Sequence, residues 1–329
     1  MRNLCSYQNK VILYFFLTTS LIPSISNSQA SLAFGKSRYE VGFEIGPSVF
    51  LGDLGGHRGK GTYFIKDWNF PVTKFMIGVF AAVYPSEWLG FRVAGNICQI
   101  KGNDEYINTN GVWELTRKVR DIEFRSNIRE VYAAFELYPT VLSNLKFDYI
   151  PRLRPYGVLG IGYFHFNPQA PYPDPATGKT TWIDLKPLRL EGQGIIAGRK
   201  EYELNQIMIP MGIGIKYDAT DRWVINMEVL HRKTFTDYID DVSIRYADIN
   251  QIKAYLTPEQ EAQARYILGQ GIPNLQFRSP YGPGRKRGNP KRNDAYFSIT
   301  VKIAYKFGSL YNSIFQNNLN KVRCPSYRF

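Results

Sequence analysis

The last apolar stretch of the chain, YFSITVKIAYKF at residues 296–307, alternates without a break. Phe297, Ile299, Val301, Ile303, Tyr305 and Phe307 share one face; Tyr296, Ser298, Thr300, Lys302, Ala304 and Lys306 share the other. A period of two is the mark of an extended strand. A strand this long, with a continuous apolar face and two lysines behind it, would serve poorly inside a soluble core, where both faces of a sheet must be dry. It suits a wall with hydrocarbon on one side and polar contacts on the other, which is the condition of a transmembrane β-barrel.

Seven further segments carry the same signature. At residues 39–51, Val41, Phe43, Ile45, Pro47, Val49 and Leu51 oppose a face that carries Glu40 and Glu44. Residues 72–84 turn through Pro85, Ser86 and Glu87 into 88–101, where Phe91, Val93 and Ile97 alternate with Arg92, Asn96 and Cys98. Residues 126–138 set Val131, Ala133, Phe135 and Leu137 against Glu130, Tyr132 and Glu136. Residues 155–166 form a glycine-rich aromatic strand whose facing is ambiguous, because both of its residue sets are apolar. Residues 204–217 and 222–235 complete the series, with Lys216, Glu228 and Arg232 on their polar sides.

The expected fold is therefore all-β, an eight-stranded antiparallel transmembrane β-barrel with long extracellular loops. Its connections run long, short, long, intermediate, long, short, long, the parity of an outer-membrane barrel with short turns in the periplasm. An even strand number puts both barrel ends on the periplasmic side. The prolines of PQAPYPDPATG, at 168–178, argue against strand within the fifth connection. The seventh connection, 236–293, contains one expected helix: Thr257 through Gln260 forms a capping box with Pro258 at the first helical position, and Gly269 is its stop.

The N-terminus has the pattern of a secretory signal: Arg2 and Lys10, an apolar run from 11 to 22, and small residues at 26–28. An uncleaved anchor is the competing reading, weakened by the shortness of the run. The expected organisation is a signal peptide at 1–28, an N-terminal segment at 29–38, the barrel at 39–307 and a periplasmic tail at 308–329. No later stretch approaches the 18 apolar residues of a spanning helix. Aromatic residues, 15% of the chain, supply the interfacial girdles of such a barrel; Trp88, Trp223, Tyr138, Tyr217 and Phe307 are the candidates.

An eight-stranded barrel has an interior that side chains fill. The polar faces gather Glu40, Glu44, Glu130, Glu136 and Glu228 with Arg92, Lys216, Arg232, Lys302 and Lys306. Closure makes the last strand a neighbour of the first, so Lys302 and Lys306 are expected to reach Glu40 and Glu44. Paired charges in a narrow lumen form a plug and leave no open pore, since unpaired ones would be costly to desolvate.

Other chemistries find little support. The net charge of +13 would ordinarily suggest nucleic acid, but an exported protein rarely meets it; outer-membrane lipid, with the phosphates and carboxylates of lipopolysaccharide, satisfies the same electrostatics. GDLGGHRGKG at 52–61 lacks the phosphate-cradling GxxxxGK[ST] pattern. The three histidines, His57, His165 and His231, have no metal-ligand spacing, and no cofactor is expected. Cys98 and Cys324 are too few for a disulfide framework. Asp237, Asp240, Asp241 and Asp248 form an acidic group read as solvated in preference to a calcium site. The basic run Arg285, Lys286 and Arg287, with Lys291 and Arg292, is read as facing lipopolysaccharide or an acidic partner. A barrel hydrolase or acyltransferase working through a rim histidine is the alternative function, and a soluble eight-stranded carrier a third; inward charges oppose the latter.

Several stretches in order, EVGFEIGPSVFLGDL at 40–54, DIEFRSNIREVYAAFELYP at 121–139, TFTDYIDDVS at 234–243, RGNP at 287–290 with NDAYF after it, and the terminal KVRCPSYRF, resemble the PorG-like outer-membrane β-barrel family of the Bacteroidetes type IX secretion system. The resemblance covers most of the mature chain. It implies a non-enzymatic barrel of the cell outer membrane that attaches the periplasmic ring of that system, built from a lipoprotein and a partner subunit. On this view the periplasmic turns and the tail, including Cys324, Pro325 and Phe329, carry the contact.

Overall fold

The computed structural model describes residues 37–54, 72–104, 122–143, 151–174, 178–269 and 282–308. The chain divides into two units, Met1–Arg38 with Gly308–Phe329, and Tyr39–Phe307. The first lies almost wholly outside the described residues, and so do the signal-like segment, His57, Cys324, Pro325 and Phe329.

Period-two stretches form strands wherever the sequence carries them. Among the described residues the strands are β1 (Arg38–Leu51), β2 (Lys74–Ser86), β3 (Leu89–Asn103), β4 (Glu123–Leu137), β5 (Leu153–His165), β6 (Pro168–Pro173), β7 (Thr180–Asp184), β8 (Asn205–Asp218), β9 (Trp223–Thr234) and β10 (Ala295–Gly308). Eight of them pair in the order β3–β2–β1–β10–β9–β8–β5–β4, and β4 pairs back onto β3 to close an antiparallel barrel. Closure leaves no unpaired edge in the wall, the requirement for strands in hydrocarbon. Among the described residues no helix is long and apolar enough to cross a membrane.

The wall sorts its side chains strictly. Val41, Phe43, Phe75, Val79, Ile161 and Ile213 are among the large apolar residues that face outward and are exposed, Ile213 to 70%. Their strand neighbours point inward and are buried or half-buried. The ambiguous fifth barrel strand, β5, is resolved: Arg154, Tyr156, Val158 and Phe164 face in, while Leu159, Ile161 and Tyr163 face out. Inward glycines make room for large partners. A Cβ on Gly214 would lie 2.4 Å from the ring of Tyr156, the side chain laid across that strand.

The strand ends flanking turns 87–88 and 219–222, with the end of β4 and the start of β5, share one end of the barrel with the start of β1 and the end of β10; the strand ends that lead into the long connections share the other. In the third long connection the structure departs from expectation. β6 is a strand despite Pro168, Pro171 and Pro173; it pairs through its length with β7 and touches β4 only at Arg125↔Gln169 and Ser126↔Pro168. A two-stranded flap on the rim tolerates missing N–H donors that the closed wall would not.

The last long connection contains α1 (Ile249–Ile252) and α2 (Pro258–Leu268). In α2 the Thr257–Gln260 capping box is formed, and Gly269, at φ 63°, ends the helix in the left-handed region. Leu185, Leu188, Leu190, Ile249, Ile252 and Leu268 pack there as a second small core, so the described parts of the third and last long connections form one packed layer.

The exposed apolar belt yields a direct test. Ile213→Arg should destabilise the barrel in a bilayer by about 2–4 kcal/mol near the midplane. Denaturant unfolding of the vesicle-inserted protein measures this, and an unchanged stability would mean that water bathes this face.

Candidate functional site: a filled lumen and its two rims

Nearest the short-turn end, Arg154 meets Asp218 at 2.5 Å and Glu87 at 3.1 Å, and Lys306 reaches the other Asp218 oxygen at 2.6 Å. Next comes Lys216, with Glu40 at 2.6 Å and the Tyr84 ring 3.9 Å from its ammonium. Tyr84 and Tyr138 both donate their hydroxyls to Glu136, at 2.7 and 2.6 Å.

The middle layer centres on Glu228. Arg92 donates to it through both terminal nitrogens, at 2.8 and 3.1 Å; Tyr156 donates at 2.8 Å, and Lys302 lies 2.7 Å away. Arg92 also reaches Glu136 at 3.0 Å, and Lys302 reaches Glu44 at 2.7 Å. One layer higher, Glu130 accepts from Arg232 at 2.8 Å, Asn96 at 2.8 Å and Tyr296 at 2.5 Å. Each acid thus has cationic or hydroxyl donors, the condition under which buried ion pairs are tolerated.

All ten charged residues singled out from the sequence line this lumen. Two pairings differ from expectation: Lys306 goes to Asp218, and Glu40 to Lys216 across the interior. Asp218 and Arg154 lie at strand ends, where the sequence reads turn or connector. Tyr138 is also displaced from its expected role. Its ring is buried inside, between Tyr84 and Tyr156, and its hydroxyl is spent on Glu136, so it belongs to no interfacial girdle.

The girdle forms from other aromatics. Trp223 packs edge-on against Tyr305 at 5.4 Å, Phe307 stacks on Tyr39 at 5.6 Å, and Tyr217 is exposed beside them on the outer wall. Trp88 occupies the β2–β3 turn, half-buried against the interior cluster. On the outward register at the other end, Val49 and Phe297 are buried, so the belt does not run the full length of β1 and β10.

Above Glu130 the lumen becomes aromatic. Tyr296, Phe164, Phe166, Tyr202 and Tyr238 follow one another at centroid distances of 6.0, 5.6, 6.2 and 4.6 Å. The column ends in a polar latch that sequence reasoning missed. Tyr202 donates to Asp241 at 2.8 Å; Arg287 bridges Asp241 at 3.1 Å and Glu191 at 3.3 Å; Glu191 also accepts the backbone N–H groups of Ser243 and Ile244, both at 2.9 Å. Asp241 sits at φ 61°, a conformation Asp adopts more readily than most residues.

Two expectations fall here. Asp237, Asp240 and Asp241 are buried, not solvated, and only Asp248 stays partly exposed, capping α1 by accepting from the Asn250 N–H. Within the basic run, Arg287 is buried in the latch while Arg285, Lys286, Lys291 and Arg292 are exposed. The reason is spatial: 191, 241 and 287 come from different connections or distant parts of one, and no local pattern announces their meeting. Burial works against the Arg287 charge, but Asp241 and Glu191 more than offset it and raise its pKa. Burial pushes the Asp237 carboxyl up to about 8, opposed by Ser243 and aided by Asp53 and Glu191.

The two histidines among the described residues both lie on the outward register. His165 pairs its Nδ1 with Asn205 at 2.8 Å, and His231 is half-buried on β9. Among the described residues no group of three or more His, Cys, Asp or Glu is arranged to hold a metal ion. Cys98 is a buried free thiol facing the lumen.

No protein-family profile and no curated protein sequence matches this chain. Among solved structures it is similar to the attachment invasion locus protein Ail of Yersinia pestis, at 10% identity over 82% of this chain and 97% of that one, TM-score 0.31. It is also similar to a major outer membrane protein of Thermus thermophilus, at 10% identity over 82% and 99%, TM-score 0.37. A third likeness is to Outer Membrane Protein W of E. coli, at 12% identity over 82% and 97%, TM-score 0.31.

Two outcomes follow from this geometry. Planar-bilayer recordings of the purified protein should show no stable large conductance, and Arg92→Met, which takes the guanidinium away from Glu228 and Glu136 and leaves them Lys302 and tyrosine hydroxyls, should cost about 3 kcal/mol in unfolding titrations. At the loop end, Asp237 keeps its proton in the folded state between about pH 4 and 8, where the unfolded chain has lost it. Stability of the loop layer should therefore fall as pH rises through that window and level off above it. Asp237→Asn should flatten the slope, as read from denaturation midpoints at about pH 5 and pH 8.5.

Proposed function

We propose that the chain is a non-enzymatic anchor of the cell outer membrane that docks the periplasmic ring of a type IX protein secretion system, through the ring lipoprotein and its partner subunit. The observation that carries the reading is the filled lumen. Ionic layers and an aromatic column occupy the barrel from Lys306 to Tyr238, so transport through it has no path, and what remains to the protein is contact through its surfaces.

The closed wall with an apolar exterior puts the chain in a membrane, and closed barrels of this size are outer-membrane structures. The end with short turns and both barrel termini is the periplasmic one. It offers Glu87, Asp221 and Arg222 at the rim and leads directly into the tail. The resemblance of the ordered motifs from 40–54 to 321–329 supports the PorG-like reading, and an anchor suits a solid barrel better than a conduit does.

Deleting residues 309–329 from a tagged chain, followed by crosslinking in membranes and affinity recovery, examines the contact. The full chain should recover the ring lipoprotein, and the truncated one should recover several-fold less. Undiminished recovery would remove the tail as the contact, and no recovery by the full chain would overturn the docking role itself.

A further inference from the structure

The outer wall changes character at one level on five consecutive strands. Counting toward the loops, the apolar register gives way after Ile97 to Gln99 on β3, after Val131 to Arg129 on β4, after Tyr163 to His165 on β5 and after Ile207 to Asn205 on β8. On β9 it gives way after Val229 to His231 and Lys233. No carboxylate stands in that row. The next outward acid on these strands, Glu123, is already bridged to Lys101.

Arg129 and Lys233 are exposed and have no ion-pair partner among the described residues. They stand three strands apart around the wall, with the His165–Asn205 pair between them. Just above Arg129 the cations crowd further: Lys101 and Arg125 are directly opposed in register, and both lie over the Trp182 ring, at 5.8 and 4.3 Å. Like charges directly opposite each other destabilise a sheet. The opposite rim of the belt carries the aromatic girdle, and the exposed Arg222 there is hydrogen-bonded to the Tyr305 hydroxyl.

We infer that this row is a docking band for the phosphate groups of an anionic outer-leaflet glycolipid, with Arg129 and Lys233 as its principal contacts. The inference rests on the membrane placement above. Charge complementarity names the occupant: the row lies where hydrocarbon ends, so its counter-anion must have acyl chains along the belt and phosphate at its upper border. A free anion or a soluble acidic protein would have no reason to select that level. The His165–Asn205 pair supplies neutral hydrogen-bonding groups between the two cations.

The test uses the full chain in phosphatidylcholine vesicles that contain either bis-phosphorylated lipid A or the same lipid after dephosphorylation. Lipid retained after mild detergent extraction is counted by native mass spectrometry. The wild-type chain should retain the phosphorylated form selectively; R129E/K233E should retain about tenfold less, and R129Q/K233Q an intermediate amount. K253E, an exposed charge change on the loop layer, should match wild type. Equal retention of both lipids, undiminished retention by R129E/K233E, or full displacement by millimolar inorganic phosphate would overturn the band. A wild-type chain that does not enter the vesicles would instead overturn the membrane placement, and this inference with it.

Discussion

The structure depends on charges that cannot be hydrated. Once eight strands close, their inward side chains share a space too narrow for bulk water, and an isolated carboxylate there would cost several kcal/mol. Glu228 shows how this is met: a bidentate guanidinium, an ammonium and a phenol converge on one carboxylate, and the same cations continue to Glu136 and Glu44. The pairs thereby link β1, β3, β4, β5, β9 and β10 across the interior. A register slip of one residue would put these ions in hydrocarbon and the oily residues inside, so the network also fixes the pairing of the wall.

The two ends of the barrel solve different problems. At the short-turn end the Asp218 cluster ties β5, β8 and β10 together where the turns supply little packing. At the loop end, long connections would ordinarily be mobile surface, yet Arg287 draws Asp241 and Glu191 together and the aromatic column stacks directly beneath them. The loop layer is thus in register with the lumen, because Tyr202 belongs to both: its ring stacks on Phe166 and its hydroxyl reaches Asp241.

What the sequence made legible was whatever depended on local period. Barrel strand limits agree within a few residues because alternation needs no knowledge of neighbours, and the α2 cap was readable because Thr257, Pro258 and Gln260 act within one turn. For Lys306 the strand order points to the neighbouring first strand, because adjacency across the seam is visible in it, whereas the reach to Asp218 on β8 is not. Asp218 reads locally as a turn residue, Tyr138 reads as a girdle residue because it stands at a strand end, and β5 reads ambiguously because its one charged inward residue, Arg154, precedes the stretch 155–166 that alternates. The Glu191–Asp241–Arg287 latch lay beyond reach altogether, since it joins positions far apart in the chain.

A solid barrel limits what its surfaces can do. Its wall meets lipid, its loop end presents a packed layer stiffened by a buried arginine, and its short-turn end presents two tight turns beside both barrel termini. Rigidity is useful to an attachment point because a partner that docks on pre-ordered turns loses little of its binding free energy to ordering them. The same rigidity is of no advantage to a gated conduit, which needs an interior able to rearrange. To open a path here, Arg92, Lys302 and Arg232 would have to leave the carboxylates they pair with, and each ion left unpaired in the buried interior would cost several kcal/mol.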